Sequence, residues 1–342
     1  VTPTPTTSIE IVAELAQGFE GNPGLARLLI NAAAASGADA AKFQLVYADE
    51  LATPDYKYYD LFKTLEMDDA IWSGLAADAV KAGIKLYLDV FGQRSLDLAA
   101  RLGVTTVKLH GTDIANAGFL AQVAASSVPR VMLGAGGAHL TEVETALDLL
   151  RDKQVIVLLG FQSYPTPHED NQIARVRALT ERWKGSRGSV TLGFADHAPP
   201  EEGTRFALAG TAIGAGATLI EKHLTLGRNM KLEDHESALN PDEFEEFSHI
   251  VRNCASALGL TVTSDDFGMS EAEKGYRKMI RRHVVATRDL AVGTILLPEH
   301  LMLKRAGATD VITDLDLAYG KRLVRAVTKN APVLSADLGN TQ

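Results

Sequence analysis

The sequence predicts an α/β chain in which a (β/α)₈ TIM barrel is followed by a small β-rich domain. Three observations carry that expectation. From Ile9 to about Leu258, β-branched apolar runs alternate with Ala- and Leu-rich segments of helical period, the pattern of a parallel α/β fold. The alternation runs through eight units, the number that closes a barrel. Beyond Gly259 the style of the sequence changes, and its 342 residues suit a barrel of about 250 residues plus a small module.

The expected strands are Ile9 to Ala16, Ala40 to Val46, Lys85 to Val90, Thr105 to His110, Pro129 to Gly134, Val155 to Phe161, Val190 to Ala195 and Thr218 to Leu224. Between them Gly24 to Ser36, Asp69 to Ala82, Ser95 to Leu102 and Thr141 to Arg151 repeat apolar residues at three and four, as helices packed on a sheet require. Gly37, Gly83 and Gly103 follow such runs and suit helix C-caps. The connection from Tyr47 to Met67 is long for a barrel loop and carries Tyr56, Tyr58, Tyr59 and Phe62, which marks it as a candidate lid. Residues 1–260 are thus expected to form the barrel, 261–278 a polar linker and 279–342 a second domain with strands at His283 to Ala286 and Thr294 to Leu297.

Composition narrows the function. Hydrophobic residues make up 46% of the chain but are broken by charges, and no run reaches the roughly 20 apolar residues of a membrane span. The net charge of −9, without a basic stripe, argues against nucleic acid as a partner. Val1 to Ser8 is Pro- and Thr-rich and lacks the basic and apolar regions of an export signal, and Cys254 has no second cysteine to pair with; a cytoplasmic protein is expected.

In a barrel of this kind reactive groups stand where strands end, on the carboxyl face. Those positions hold Glu14, Lys42 with Gln44, Asp89, Lys108 with His110 and Asp113, Gln162 with Tyr164, Asp196 with His197, and Glu221 with Lys222 and His223. His197 and His223 end adjacent strands, about 5 Å apart, where two imidazoles can share a divalent cation. The ligand types suit Mn²⁺, Zn²⁺ or Fe²⁺, the other positions being filled by water or substrate oxygens. Lys42 and Lys108 offer a clamp for carboxylate or phosphate, or an imine-forming amine. Glu14 and Glu221 are candidates for proton transfer, and the Gly134-Ala135-Gly136-Gly137 turn lets backbone amides approach an anion.

Taken together, these pieces resemble the sialic acid synthase family from Ile11 to about Gly320. The resemblance rests on Ala13-Glu14 with Glu20-Gly21, Gly37 through Gln44, Tyr164-Pro165-Thr166-Pro167, Asp196-His197, Glu221-Lys222-His223-Leu224-Thr225, and Arg228 through Asp234-His235. The tail, Arg281 through Ala286 and Leu303 through Gly307, is similar to that family's antifreeze-like (SAF) domain. The resemblance implies condensation of phosphoenolpyruvate with an N-acetylated amino sugar aldehyde to a 2-keto-3-deoxy sugar acid, assisted by a divalent metal. Mn²⁺ comes first, with Zn²⁺, Fe²⁺, Co²⁺ and Mg²⁺ as alternatives. It also implies a domain-swapped homodimer. Carried over, His197 and His223 are metal ligands, Lys42 and Lys108 bind phosphoenolpyruvate, and Tyr164 lies in the substrate-binding stretch. Glu14, Gln44, Glu221 and Asp234 handle the sugar and the reacting water, and Arg305 approximates an arginine supplied to the acyl group.

The departures from the family pattern cluster around phosphate. Lys-x-x-Ser-Gly-Glu reads Lys108-Leu109-His110-Gly111-Thr112-Asp113, and Ser-Thr-Gly-Met reads Gly134-Ala135-Gly136-Gly137. An asparagine is replaced by Gln162, a serine by Ala195 and a threonine by Asp89, whose carboxylate would repel phosphate. A family-type synthase is the leading expectation. A phosphate-independent aldolase or lyase acting on a 2-keto acid, with Asp89 or His110 as base, is the second. A non-catalytic sugar-binding relative is the third.

Overall fold

The computed structural model describes residues 9–201, 206–259, 265–308 and 310–339. The chain forms two compact units that divide between Leu260 and Thr261. In the first, β1 (Glu10–Ala16), β2 (Ala40–Gln44), β3 (Lys85–Asp89), β4 (Thr106–Leu109), β5 (Arg130–Gly134), β6 (Gln154–Leu159), β7 (Val190–Asp196) and β8 (Leu219–His223) close in sequence order. All neighbours are parallel, and β8 returns to β1.

Period-2 alternation divides the side chains of these strands between two cores. Outward residues such as Ile11, Ala41, Phe43, Leu88, Val107 and Ile220 are buried beneath α1 (Pro23–Ala35), α4 (Asp69–Ala82), α5 (Gln93–Arg101), α6 (Ala117–Ala125), α7 (Leu140–Leu149), α8 (Ala174–Trp183), α9 (Ala207–Gly214) and α10 (Pro241–Leu258). Phe19, Phe43 and Trp72 meet edge to face there, with centroids 5.6 to 6.0 Å apart. Inward residues form layers. Val12, Ala40, Tyr87, Met132, Ile156, Leu158, Ala195 and Leu219 make an apolar plug inside the barrel. Below the plug, Glu10 accepts from Tyr87 and Arg130 at the amino ends of the strands. That end opens into a cavity of about 1140 Å³, on the face that serves stability in this fold. Above the plug lie the charged groups.

Local chemistry sets the helix ends. Asn22 caps α1 by accepting from the N–H groups of Gly24 and Leu25, and Pro23 supplies a preset φ where no donor is needed. α4 ends on Gly83 at φ 73°, the left-handed position that favours glycine. Short helices α2 (Ala48–Leu51) and α3 (Tyr59–Leu65) order the long connection expected as a lid.

The second unit departs from the sequence expectation at two places. Residues expected as linker instead contribute to α11 (Glu271–Ile280), whose Ser270 cap accepts from Glu273 N–H. β9 (His283–Ala286) pairs antiparallel with β10 (Leu301–Lys304), and β11 (Arg322–Leu323) with β12 (Leu338–Gly339). Thr294 to Leu297 is not a strand, because only Ile295 makes an isolated bridge, to Arg322. Val284, Ala286, Leu290, Leu296, Leu323 and Val333 give this unit a core of its own. No helix among the described residues is long and apolar enough to cross a membrane.

Candidate active site

At the carboxyl ends of the strands a cavity of about 1120 Å³ opens, and strand register explains which residues reach it. Glu14 stands opposite both Lys42 on β2 and His223 on β8, and Asp89 on β3 is opposite Lys108 on β4. Asp196 pairs with Lys222, so the next residue of β7's run, His197, comes level with His223. Alternation turns Asp196 and Lys222 the other way. They are fully buried and form their own ion pair of 3.0 Å behind the strands, so these two sequence candidates do not join the mouth.

The cavity floor is an ion network. Lys42 Nζ donates to Glu14, lies 2.7 Å from Asp89 Oδ1, and is 3.5 Å from Glu221 Oε2. Lys108 Nζ lies 2.7 Å from Glu221 Oε1, 3.5 Å from Glu14 and 3.9 Å from Asp89. Three carboxylates thus share two ammonium groups, all nearly excluded from solvent. Burial raises Glu14 and Glu221, yet the two lysines outweigh it and hold both below the usual carboxylate range. Asp89 goes the other way: burial, with Glu14 and Glu221 close by, pushes it up to about 6 against the pull of both lysines. Burial would lower Lys108, but the carboxylates of Glu221, Asp89 and Glu14 hold its ammonium well above the ordinary range. Of the five groups only Glu14 and Lys108 line the cavity; Lys42, Asp89 and Glu221 lie beneath it.

An arc of rings forms one wall. Phe91 lies 6.4 Å from His110, His110 6.0 Å from Phe161, Phe161 4.9 Å from His197, and His197 5.1 Å from His223, between ring centroids. Tyr164 closes the arc at 5.6 Å from His223, and its hydroxyl donates to the carbonyl of Asp234. His197 Nδ1 donates to the carbonyl of Ala195 at 3.0 Å, which leaves Nε2 with the lone pair. Burial, then the charge of neighbouring groups, pushes His197 well below its ordinary value; burial pushes His223 down to about 3. Both rings are therefore neutral, the ligand form of histidine. Among the described residues, no group of three or more His, Cys, Asp and Glu side chains is placed to hold a metal, so this pair stands alone.

Most of the sequence candidates meet here. Glu14, Gln44, Lys108, His110, Asp113, Tyr164, His197, His223 and Asp234 line the cavity. Gln162 does not. β6 ends at Leu159, Gly160 takes φ 106°, and it is Phe161 that turns into the cavity, while Gln162 Oε1 is buried without a hydrogen-bond partner among the described residues. Arg305 lies exposed in the second unit, just after β10. Sequence reasoning passed over Phe91, Phe161, Gln17 and the acidic pair Asp49 and Glu50, all in the lining. The glycine before Phe161 was the one available sign that strand alternation breaks there.

A closed (β/α)₈ barrel whose carboxyl face carries a buried ion network and a neutral histidine pair has the framework of a barrel enzyme, with its site on that face. The NeuB family model matches residues 29–263 and the SAF domain model residues 281–339, and the chain belongs to the NeuB family. It is 28% identical over 335 residues to N,N'-diacetyllegionaminic acid synthase of Legionella pneumophila, covering 92% of this chain and 90% of that protein. It is 30% identical over 268 residues to the spore coat polysaccharide biosynthesis protein SpsE of Bacillus subtilis, covering 74% of this chain and 69% of that protein. The solved N-acetylneuraminic acid synthetase of Leptospira borgpetersenii superposes with a TM-score of 0.71 at 25% identity, over 80% of this chain and 93% of that one. The chain is thus an enzyme of the sialic acid synthase type.

Proposed function

We propose that this enzyme condenses phosphoenolpyruvate with an N-acetylated amino sugar aldehyde to give a 2-keto-3-deoxy sugar acid and phosphate. The observation that carries the reading is the meeting of the His197 and His223 pair with Lys108 and Glu14 in one cavity, in a chain of this family. The donor set fits a divalent ion, because both imidazoles are neutral, His197 Nε2 makes no hydrogen bond among the described residues, and the open cavity leaves further positions to water and substrate oxygens. Such an ion, Mn²⁺ first, would supply Lewis-acid polarisation of the aldehyde carbonyl.

The chain's own residues account for the rest. Lys108 presents the cavity with an ammonium whose proton the neighbouring carboxylates hold more tightly than usual, and it is placed to hold the carboxylate of the enol phosphate. C3 of the enol attacks the aldehyde carbon, and the aldehyde oxygen takes up a proton to become a hydroxyl. Water adds at C2 and gives up a proton to Glu14, the one carboxylate of the network that lines the cavity. The C2–O bond to phosphate then breaks as the C2 hydroxyl passes its proton to the departing phosphate, leaving a ketone; the proton released to Glu14 balances the one taken up by the aldehyde oxygen, so one water is consumed and one phosphate released. Tyr164, Gln44 and Asp234 line the side where the sugar hydroxyls and N-acetyl group would lie. A cytoplasmic, homodimeric enzyme, with Arg305 reaching the acyl group from the partner's second domain, belongs to the same proposal.

The test is to mix the protein with phosphoenolpyruvate, Mn²⁺ and a panel of N-acetylated hexosamine aldehydes, following inorganic phosphate and 2-keto acid together. Equal amounts of both are expected with at least one aldehyde. Cleavage of a 2-keto sugar acid to pyruvate with no phosphate dependence in either direction would overturn the reading.

A further inference from the structure

The ion network leaves little positive charge for a phosphate. Lys42 is fully buried beneath the cavity and Lys108 is shared among three carboxylates. Several of the acidic residues lining the cavity are engaged elsewhere: Asp49 by Tyr59 and Lys63, Glu50 by the N–H groups of Arg94 and Ser95, and Asp113 by Thr112 and Asn116. One imidazole on the wall differs. His110 follows directly on β4, two residues after Lys108, and its ring is held between Phe91 and Phe161 without a hydrogen bond to any described residue. Beside it the turns after β4 and β5 are pressed together, because a Cβ on Gly111 would come within 2.8 Å of Gly136 O. The N–H group of Gly136, which lines the cavity, likewise makes no hydrogen bond to a described residue. The cavity therefore has two polar poles, His197 with His223 and His110 with the glycine turn, and the Phe161 ring stands between them.

We propose that His110, together with the backbone N–H group of Gly136, receives the phosphate group of the enol phosphate, leaving the His197 and His223 pole to the aldehyde. This rests on the synthase reading. It assigns phosphate recognition to a ring N–H and a bare backbone turn rather than to a lysine clamp. Burial, then Lys108 and Lys42, push His110 down to about 4 in the free protein, against Glu14 and Glu221, so the ring arrives neutral with one N–H to give.

Calorimetric titration of the full chain with phosphoenolpyruvate, inorganic phosphate and pyruvate separates the possibilities, using wild type, His110→Phe and His110→Gln. The phenylalanine keeps the ring between Phe91 and Phe161 and removes the donor, and the glutamine restores one. A hydrogen bond to a charged group predicts that His110→Phe weakens phosphoenolpyruvate and inorganic phosphate by roughly 10- to 100-fold, with pyruvate within about twofold and His110→Gln in between. Unchanged phosphate affinity in His110→Phe overturns the assignment alone, as does an equal loss for pyruvate, which would mean general damage to the cavity. Wild type that binds pyruvate but neither phosphate compound overturns the assignment and the synthase reading together.

Discussion

Lys108 Nζ lies 2.7 Å from Glu221 Oε1, and this is the contact that fixes the one cavity-lining ammonium of the floor. Removing one partner of a buried ion pair strands the other charge, at a cost of about 3 to 5 kcal/mol. Lys108→Met is therefore expected to lower the urea-unfolding free energy by that amount and to abolish carboxylate binding. Adding Glu221→Gln should return much of the stability and none of the binding. A double variant no more stable than the single would show that the stranded carboxylate is not the source of the loss.

The pH dependence of stability has an identifiable contributor in Asp234. Burial, then the charge of Glu14, raises its carboxyl from 3.8 to about 6. A carboxyl raised on folding contributes stability that is fully present below its unfolded value and lost as pH rises through its folded value. Asp234→Asn should therefore gain on wild type as pH goes from 4 to 7, by on the order of 2 kcal/mol. The lowered histidines act with the opposite sign, losing stability as pH falls below about 6.5, but they are common to both proteins and cancel in the difference. Urea midpoints at pH 4.5 and 7.5 decide it; a parallel change in the two proteins would mean that Asp234 ionises freely.

The barrel was legible because its two periodicities are sequence properties. All eight expected strands overlap the observed ones, with ends differing by one or two residues, since β2 stops at Gln44 and β4 at Leu109. The cavity was legible as far as alternation holds. Glu14, Lys42, Lys108, Glu221 and His223 face inward by the period of two, whereas Gly160 breaks it and exchanges Gln162 for Phe161. What the sequence did not reveal is depth. Lys42 and Lys108 look alike in their apolar settings, yet one lies beneath the other, because stagger between neighbouring strands is set by the closure of the barrel and not by local sequence. α11 was lost for another reason: its exposed, highly charged face reads as linker, and it has no buried residues of its own.

The histidine pair predicts a clean separation of metal binding from folding. Each ring is neutral, so replacing it strands no charge. His223→Ala and His197→Ala are expected to keep the fold within about 2 kcal/mol, as large-to-small changes of partly supported side chains often do. Mn²⁺ affinity, read from the spin-resonance signal of the free ion, should fall at least tenfold, and synthase turnover should fall with it. Turnover that survives prolonged chelation and both substitutions would remove the metal from the reaction.

Glu50 ties the long connection after β2 to the barrel. Its carboxylate accepts from the N–H groups of Arg94 at 2.6 Å and Ser95 at 3.1 Å, which are orphan donors in the first turn of α5. The fit is close, since a Cβ on Gly92 would come within 2.6 Å of the Glu50 carboxyl carbon. An anionic cap on a helix start contributes about 1 kcal/mol, so Glu50→Ala should cost that much in stability. Its larger effect is expected on the substrate side, because Tyr56 and Phe62 line the cavity from the same connection. KM for the aldehyde should rise several-fold with kcat less affected, and cleavage by protease between residues 48 and 66 should accelerate. Gly92→Ala displaces the same carboxylate from the other side and should reproduce both effects. If KM and cleavage are unchanged in both variants, the connection is held by its aromatic packing, in which Tyr56 stacks on Phe62 at 6.2 Å, and Glu50 serves only the helix.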